Sequence, residues 1–112
     1  MQFHLSNKGD LPKREEYHGK TALVIGAARS GTAAAELLLS LGASVILSDL
    51  KPLEALGELP AALLCPGCTL SLGLLPDRHF SSCDLIVISP GIPLASPVLD
   101  QARRMNLRIL GE

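Results

Sequence analysis

Three short stretches carry residues whose types and spacing can do chemistry. The first is Gly26-Ala27-Ala28-Arg29-Ser30-Gly31, which follows the apolar run Ala22-Leu23-Val24-Ile25 and leads into the helix-like Thr32-Ala33-Ala34-Ala35-Glu36-Leu37-Leu38-Leu39. A glycine-bounded turn between strand and helix presents unpaired backbone N–H groups at a helix N-terminus. Those donors and the helix macrodipole favour an anion, most naturally a pyrophosphate. Gly26 permits the tight turn and Gly31 lets the helix pack close to the strand. The middle position, where a dinucleotide site favours a residue without a Cβ, is Ala28. A plain tight turn that serves packing alone is the competing reading.

The second stretch is Asp49-Leu50-Lys51-Pro52, about twenty residues past the turn, where a carboxylate commonly accepts hydrogen bonds from a nucleoside. Asp49 is otherwise a turn or cap aspartate. Lys51 can lay its apolar stem over a base while its ammonium stays wet, or it is solvated surface. The third stretch, Ser89-Pro90-Gly91-Ile92-Pro93, lets a buried strand exit with its backbone open to a ligand; the alternative is a rigid turn. A fourth motif, Cys65-Pro66-Gly67-Cys68, has C-x-x-C spacing. Cys83 and His79 alone would have to complete a zinc site, and the pair precedes a strand rather than opening a helix as a thioredoxin-like motif does. It reads as an inert loop.

These residues need elements to position them, and from Lys20 onward the chain alternates. Thr21 to Ile25 reads as a strand, and a helix follows from about Ser30 to Leu41, closing at Gly42. Ser44 to Ser48 is a second strand. Leu53 to Leu64 is partly helical, broken by Gly57 and Pro60, and Thr69 to Leu72 is a short third strand. After a short helix or turn near Pro76 to Ser81 comes Asp84-Leu85-Ile86-Val87-Ile88-Ser89, a strand apolar on both faces. Pro97 sits near the start of a last helix that runs to Met105 and is closed by Asn106, and Leu107 to Leu110 is a fifth strand.

Strands buried on both faces with helices between them specify a parallel sheet under two helical layers. The expectation is therefore a Rossmann-like three-layer α/β/α domain, with a five-stranded parallel sheet in the order 3-2-1-4-5 from right-handed crossovers. Ligands bind such sheets at the carboxyl ends of the strands, near the switch between strands one and four. All three chemistry-bearing stretches leave those ends. Residues 1–19 are expected to lie outside the domain as a mobile lead-in, leaving 20–112 as the domain itself.

Size and charge exclude several classes. The 112 residues suffice for one domain with a real core, and 47% are hydrophobic, which argues against disorder. A formal charge of −1 with scattered Lys and Arg gives no basic stripe, so nucleic acid is not an expected partner. No apolar run approaches the roughly 20 residues needed to span a bilayer, and the N-terminal residues lack a signal-peptide apolar core. A cytoplasmic location without membrane insertion is expected.

The combination V-I-G-A-A-R-S-G, L-S-D-L-K-P, D-L-I-V-I-S-P-G-I-P with a following S-P-V-L, and R-I-L-G-E resembles the N-terminal domain of the Mur ligases that add D-glutamate to UDP-N-acetylmuramoyl-L-alanine in peptidoglycan synthesis. The resemblance runs from about Lys20 to Glu112, and S-P-G-I-P is its most specific element. It implies a domain that holds the UDP end of that substrate. Arg29, Ser30 and Gly31 would lie against the diphosphate, Asp49 would hydrogen-bond the uracil, Leu50 and Lys51 would flank the base, and Ser89, Pro90 and Gly91 would line the sugar-phosphate side. Family members usually carry glycine where this chain has Ala28.

The family's reaction is ATP-dependent amide formation through an acyl phosphate, with ATP and Mg2+ as the cofactors of the parent enzyme. No G-x-x-x-x-G-K-[ST] occurs in this sequence. The resemblance thus implies a domain that binds but does not catalyse, with no cofactor of its own, partnered in the parent by an ATPase domain. The other readings of the same residues are a NAD(P)-binding Rossmann domain of a dehydrogenase or regulatory protein, and a ligand-free interaction module.

Overall fold

In a computed structural model, residues 14–89 and 97–111 are described. The elements in chain order are α1 (Arg14–Tyr17), β1 (Thr21–Ile25), α2 (Arg29–Ser40), β2 (Ser44–Asp49) and α3 (Leu53–Leu56). A 3-10 turn at Ala61–Leu63 precedes β3 (Cys68–Leu72), and a longer one at Pro76–Ser82 precedes β4 (Leu85–Ile88). Helix α4 (Pro97–Arg104) and β5 (Arg108–Gly111) are the last described elements.

The five strands form one parallel sheet in the order β3-β2-β1-β4-β5. The expected strand order is therefore the observed one. Register sets which side chains share a face. Val24 pairs with Leu47 and Val87, and Ile25 pairs with Ser48 and Ile88. On one face Ala22, Val24, Val45, Leu47, Leu85 and Val87 pack against Ala34, Ala35 and Leu38 of α2. On the other, Leu23, Ile25, Ile86 and Ile88 pack against Phe80, Leu99 and Ala102. Each fully buried Leu, Ile or Val contributes about 1.5–3 kcal/mol from the water it leaves. Two such cores, one on each side, hold the central strands β1 and β4 flat against their helices.

Helix α2 buries Gly31, Thr32, Ala34, Ala35 and Leu38, a stripe at helical spacing that faces β1 and β2. Both long helices stop in the same way. The Gly42 N–H donates to the Leu39 carbonyl and Ala43 to Leu38; Asn106 donates to Arg103 and Leu107 to Ala102. These paired bonds satisfy the last carbonyls of each helix, and Asn106 takes φ 59° to make them. Helix closure at Gly42 and at Asn106 thus agrees with expectation.

One expectation needs correction. Residues 14–19 are not outside the domain: Arg14–Tyr17 is helical, and the Tyr17 side chain is fully buried in the core under α2. Residues 18–20 stay tied to the fold, since Gly19 N–H donates to Gly42 O (3.0 Å) and Ser44 N–H to Lys20 O (2.8 Å). The ion pair between Glu16 and Arg108 of β5 is long at 3.9 Å and exposed. A pair of that kind adds little. Burial of the tyrosine ring is what attaches α1. Residues 1–13 lie outside the described residues.

Candidate functional site

The exits of β1, β2, β3 and β4 are joined by a short set of hydrogen bonds. Gly26 N–H donates to Ser48 O at 2.7 Å, and Ser89 N–H to Ile25 O at 3.0 Å. The Ser89 hydroxyl reaches back to Gly26 O at 3.2 Å. The Asp49 carboxylate accepts Ala27 N–H on Oδ2 at 2.8 Å and Lys51 N–H on Oδ1 at 2.9 Å. Gly73 N–H is shared between Asp49 O (2.8 Å) and Lys51 O (3.1 Å). Ser89 is buried and Asp49 is half-buried, so these bonds are partly shielded from water. Asp49 of the second stretch and Ser89, the one described residue of the third, converge around the backbone of Gly26 and Ala27 of the first.

Gly26 turns the chain with φ 105°, a conformation that a side chain would strain. Gly31 meets a different requirement. A Cβ placed there would stand 1.8 Å from Gly26 O and 2.8 Å from Ser89 Oγ. No rotamer relieves a backbone clash of that kind. The missing Cβ is what lets the first turn of α2 sit directly on the Gly26 peptide.

The start of α2 is left open. Ala28 occupies the cap position in extended geometry (φ −74°, ψ 180°), makes no side-chain cap, and no acidic residue lies in the first turn. Thr32 N–H closes on Ala28 O at 2.9 Å, and the Thr32 hydroxyl bonds Arg29 O at 3.0 Å. Amides ahead of Thr32 have no intrahelical acceptor by the geometry of the helix itself. Together with the dipole they form a positive end suited to an anion. Arg29 stands exposed beside them, Ser30 is half-buried and Gly31 is buried.

A cleft of about 380 Å3 opens at this point, lined by Ala27, Ala28, Arg29, Thr32, Leu56, Glu58, Leu59 and Pro60. Its far wall was not legible as part of a site. Residues 56–60 form an irregular segment after α3, where Gly57 and Pro60 break any periodicity, and nothing in their order marks them as facing the turn. Asp49 and Ser89 do not line this cleft; they brace its near wall from behind. Leu50 and Lys51 follow Asp49 and are exposed, Leu50 at 65%, and neither lines the cleft. Pro90 and Gly91 lie outside the described residues.

Asp49 therefore has an internal task, bracing the turn behind the cleft. Both of its oxygens are engaged by backbone N–H groups of the chain, which leaves each one further lone pair for an outside donor. The turn-aspartate and nucleoside-facing readings are compatible in one side chain. The sequence signal for the internal task was weak, because the Ala27 bond spans 22 residues.

A second polar cluster lies on the other sheet face. His79 Nε2 and Ser71 Oγ share a 2.7 Å hydrogen bond, and Ser71 pairs in register with Ser48, whose hydroxyl is buried without a partner among the described residues. Burial first, and the neighbouring Arg78 charge second, lower the His79 pKa below the usual histidine value. Both effects favour the neutral imidazole against the serine.

Comparison with known proteins bears on these observations. The UDP-N-acetylmuramoylalanine--D-glutamate ligase of Koribacter versatilis is 41% identical over 97 residues, covering 87% of this chain and 21% of the relative. The enzymes of that name from Acidobacterium capsulatum and Myxococcus xanthus are 43% and 39% identical, over 87% and 84% of this chain and 21% of each relative. The chain thus spans about a fifth of the length of the curated relatives it matches. Among solved structures, shikimate dehydrogenase from Aquifex aeolicus is 18% identical with a TM-score of 0.49, covering 84% of this chain and 42% of that one. The family model for the Mur ligase MurD-like N-terminal domain matches residues 20–111, from the first strand through the last, and the chain belongs to that family.

Proposed function

We propose that this chain is the substrate-holding domain of an ATP-dependent ligase, binding the UDP end of UDP-N-acetylmuramoyl-L-alanine for addition of D-glutamate in the cytoplasm. The observation that carries the reading is the open N-terminus of α2, uncapped and free of acidic residues in its first turn, braced by Asp49 and Ser89 beside a cleft. Two phosphates next to Ala28, Arg29, Ser30 and Gly31 take the free amides as donors, and Arg29 adds a charge at the rim. The base then lies toward the exit of β2, where Asp49 has remaining lone pairs and Leu50 and Lys51 offer apolar surface. Ser89, with Pro90 and Gly91 beyond it, is assigned to the sugar-phosphate side.

Holding the substrate by its nucleotide end leaves the reacting carboxylate to other parts of the ligase. The residues here do not fit ATP: the sequence has no glycine-rich loop ending in Lys-Ser/Thr. Activation by ATP and Mg2+ is accordingly assigned to the remainder of the longer enzyme, and this domain contributes binding and orientation. Binding energy gathered at a remote, non-reacting part of a substrate positions the reacting end, which is the catalytic use of such a domain.

Calorimetric titration of the folded chain with UDP, UDP-N-acetylmuramoyl-L-alanine and NADH tests the proposal. Saturable heat with both uridine compounds and none with NADH is expected. Saturable binding of NADH alone would replace the proposal with a dehydrogenase-type cofactor domain, and no heat from any of the three would remove it.

A further inference from the structure

The C-x-x-C stretch is not absorbed by the nucleotide reading, and its geometry brings the two cysteines together. Cys65, Pro66, Gly67 and Cys68 form a tight turn closed by Cys68 N–H donating to Cys65 O at 3.1 Å. A turn so closed brings the first and fourth Cα atoms within about 7 Å, a range that contains the roughly 4.4–6.8 Å spanned by disulfides. Both cysteines are free and half-buried. The turn is anchored at each end. Val45 N–H donates to Gly67 O at 2.8 Å, Cys68 opens β3 in register with Val45, and Leu64 N–H upstream closes on Ala61 O at 3.0 Å.

We propose that Cys65 and Cys68 are a dithiol site that low-molecular-weight disulfides of the glutathione class oxidise reversibly to an intrachain disulfide. The Cys65 thiolate attacks one sulfur of the oxidant, forming a mixed disulfide and releasing one small thiol. The Cys68 thiolate then attacks Cys65 Sγ, forming the protein disulfide and releasing the second small thiol. Two electrons pass from the cysteine sulfurs to the oxidant, and the two cysteine protons end on the released thiols. Cys65 takes the first step because Cys68 sits at the start of a strand against the core, where burial, with the neighbouring Cys65 second, pushes its thiol pKa up. Cys83 serves as an internal reference: it is buried on the opposite face of the sheet and bonds Phe80 O at 3.7 Å.

The bridge closes beside the segment that forms the far wall of the cleft. Leu59 and Pro60 line that wall, and Leu63 N–H bonds Pro60 O at 3.0 Å. The 3-10 turn Ala61–Leu63 joins that wall to Cys65, so fixing Cys65 to β3 restrains the C-terminal end of the turn. The test equilibrates the reduced chain in glutathione buffers of rising oxidised fraction, alkylates free thiols under denaturing conditions and maps the products by mass spectrometry, with amide exchange in parallel. Expected are a Cys65–Cys68 disulfide with Cys83 alkylated, reversal by reduced glutathione, and slower exchange at Leu63 and Leu64 in the oxidised form. Cys68→Ser should stop at a stable glutathione adduct on Cys65. Alkylation of all three cysteines throughout, a persistent Cys65 adduct with Cys68 present, or disulfides between chains would each overturn the proposal. Unchanged exchange at Leu63 and Leu64 would overturn its link to the cleft wall.

Discussion

Helices α2 and α4 follow the two central strands, end in the same pair of backbone bonds, and begin differently. Helix α4 starts with Pro97 and carries Asp100 in its first turn, paired with Arg103 at 2.9 Å. Helices α1 and α3 likewise have Glu15, Glu16 and Glu54 near their starts. Among the described α-helices, α2 alone has no acidic residue in its first turn, and its cap residue is alanine. An acidic residue in the first turn of a helix is worth a few tenths to about 1 kcal/mol. Under the proposed function, the end of α2 is left for a ligand. The difference teaches that stability was not maximised at this turn, as expected where a ligand supplies the missing negative charge.

The strongest way to break the comparison is Gly31→Ala. The added Cβ would stand 1.8 Å from Gly26 O, so α2 must move off the sheet. A loss of about 3 kcal/mol or more is expected in urea unfolding, together with loss of UDP binding. Asp49→Asn comes next. An amide oxygen can accept one of the two N–H bonds from Ala27 and Lys51, while the amide nitrogen opposes the other. About 2 kcal/mol should be lost, and the Ala27 amide should shift in the NMR spectrum with no ligand present.

A third substitution sharpens the contrast by making α2 begin like α4. Ala28→Asp supplies a cap and a charge, so the chain should gain about 1 kcal/mol of stability. Uridine diphosphate should bind about tenfold more weakly, because the carboxylate occupies the positive end. Stability and affinity moving in opposite directions is the signature sought.

The smallest effect concerns the α4 side of the sheet, where His79 and Ser71 meet. Because burial lowers the His79 pKa in the folded chain, the unfolded chain binds the proton more readily. The stability held by neutral His79 is full above the ordinary histidine value of about 6.5 and is lost as the pH falls through the lower folded value. His79→Gln should flatten that part of the stability profile measured by thermal unfolding. The bonds around Gly26 involve no histidine, so UDP affinity should not follow the same curve.

How much of this was legible depended on the range of the interaction. The strands of Thr21–Ile25 and Leu85–Ile88, and their neighbours, announce themselves as apolar runs between turn residues, and right-handed crossovers then dictate their order. Asn106 and Gly42 mark helix ends because closing a helix is a local act. Tyr17 did not announce itself: a helix of four residues has no period to read, and its anchor is tertiary. The role of Asp49 toward Ala27 and the approach of Leu56–Pro60 to the turn are contacts between distant segments, which residue order specifies through the whole fold. Of the nine residues named for the site, seven are placed on the two turns and the β4 exit, and Pro90 and Gly91 fall outside the described residues.

The central claim is that the open end of α2 takes a diphosphate beside the exit of β2. Mapping backbone amides of the 15N-labelled chain during titration with UDP tests it most directly. Saturable shifts concentrated at Ala28, Arg29, Ser30, Gly31 and Lys51, reduced by the Ala28→Asp substitution, are the predicted result. A folded chain whose amides at the start of α2 stay unmoved at saturating UDP would contradict it.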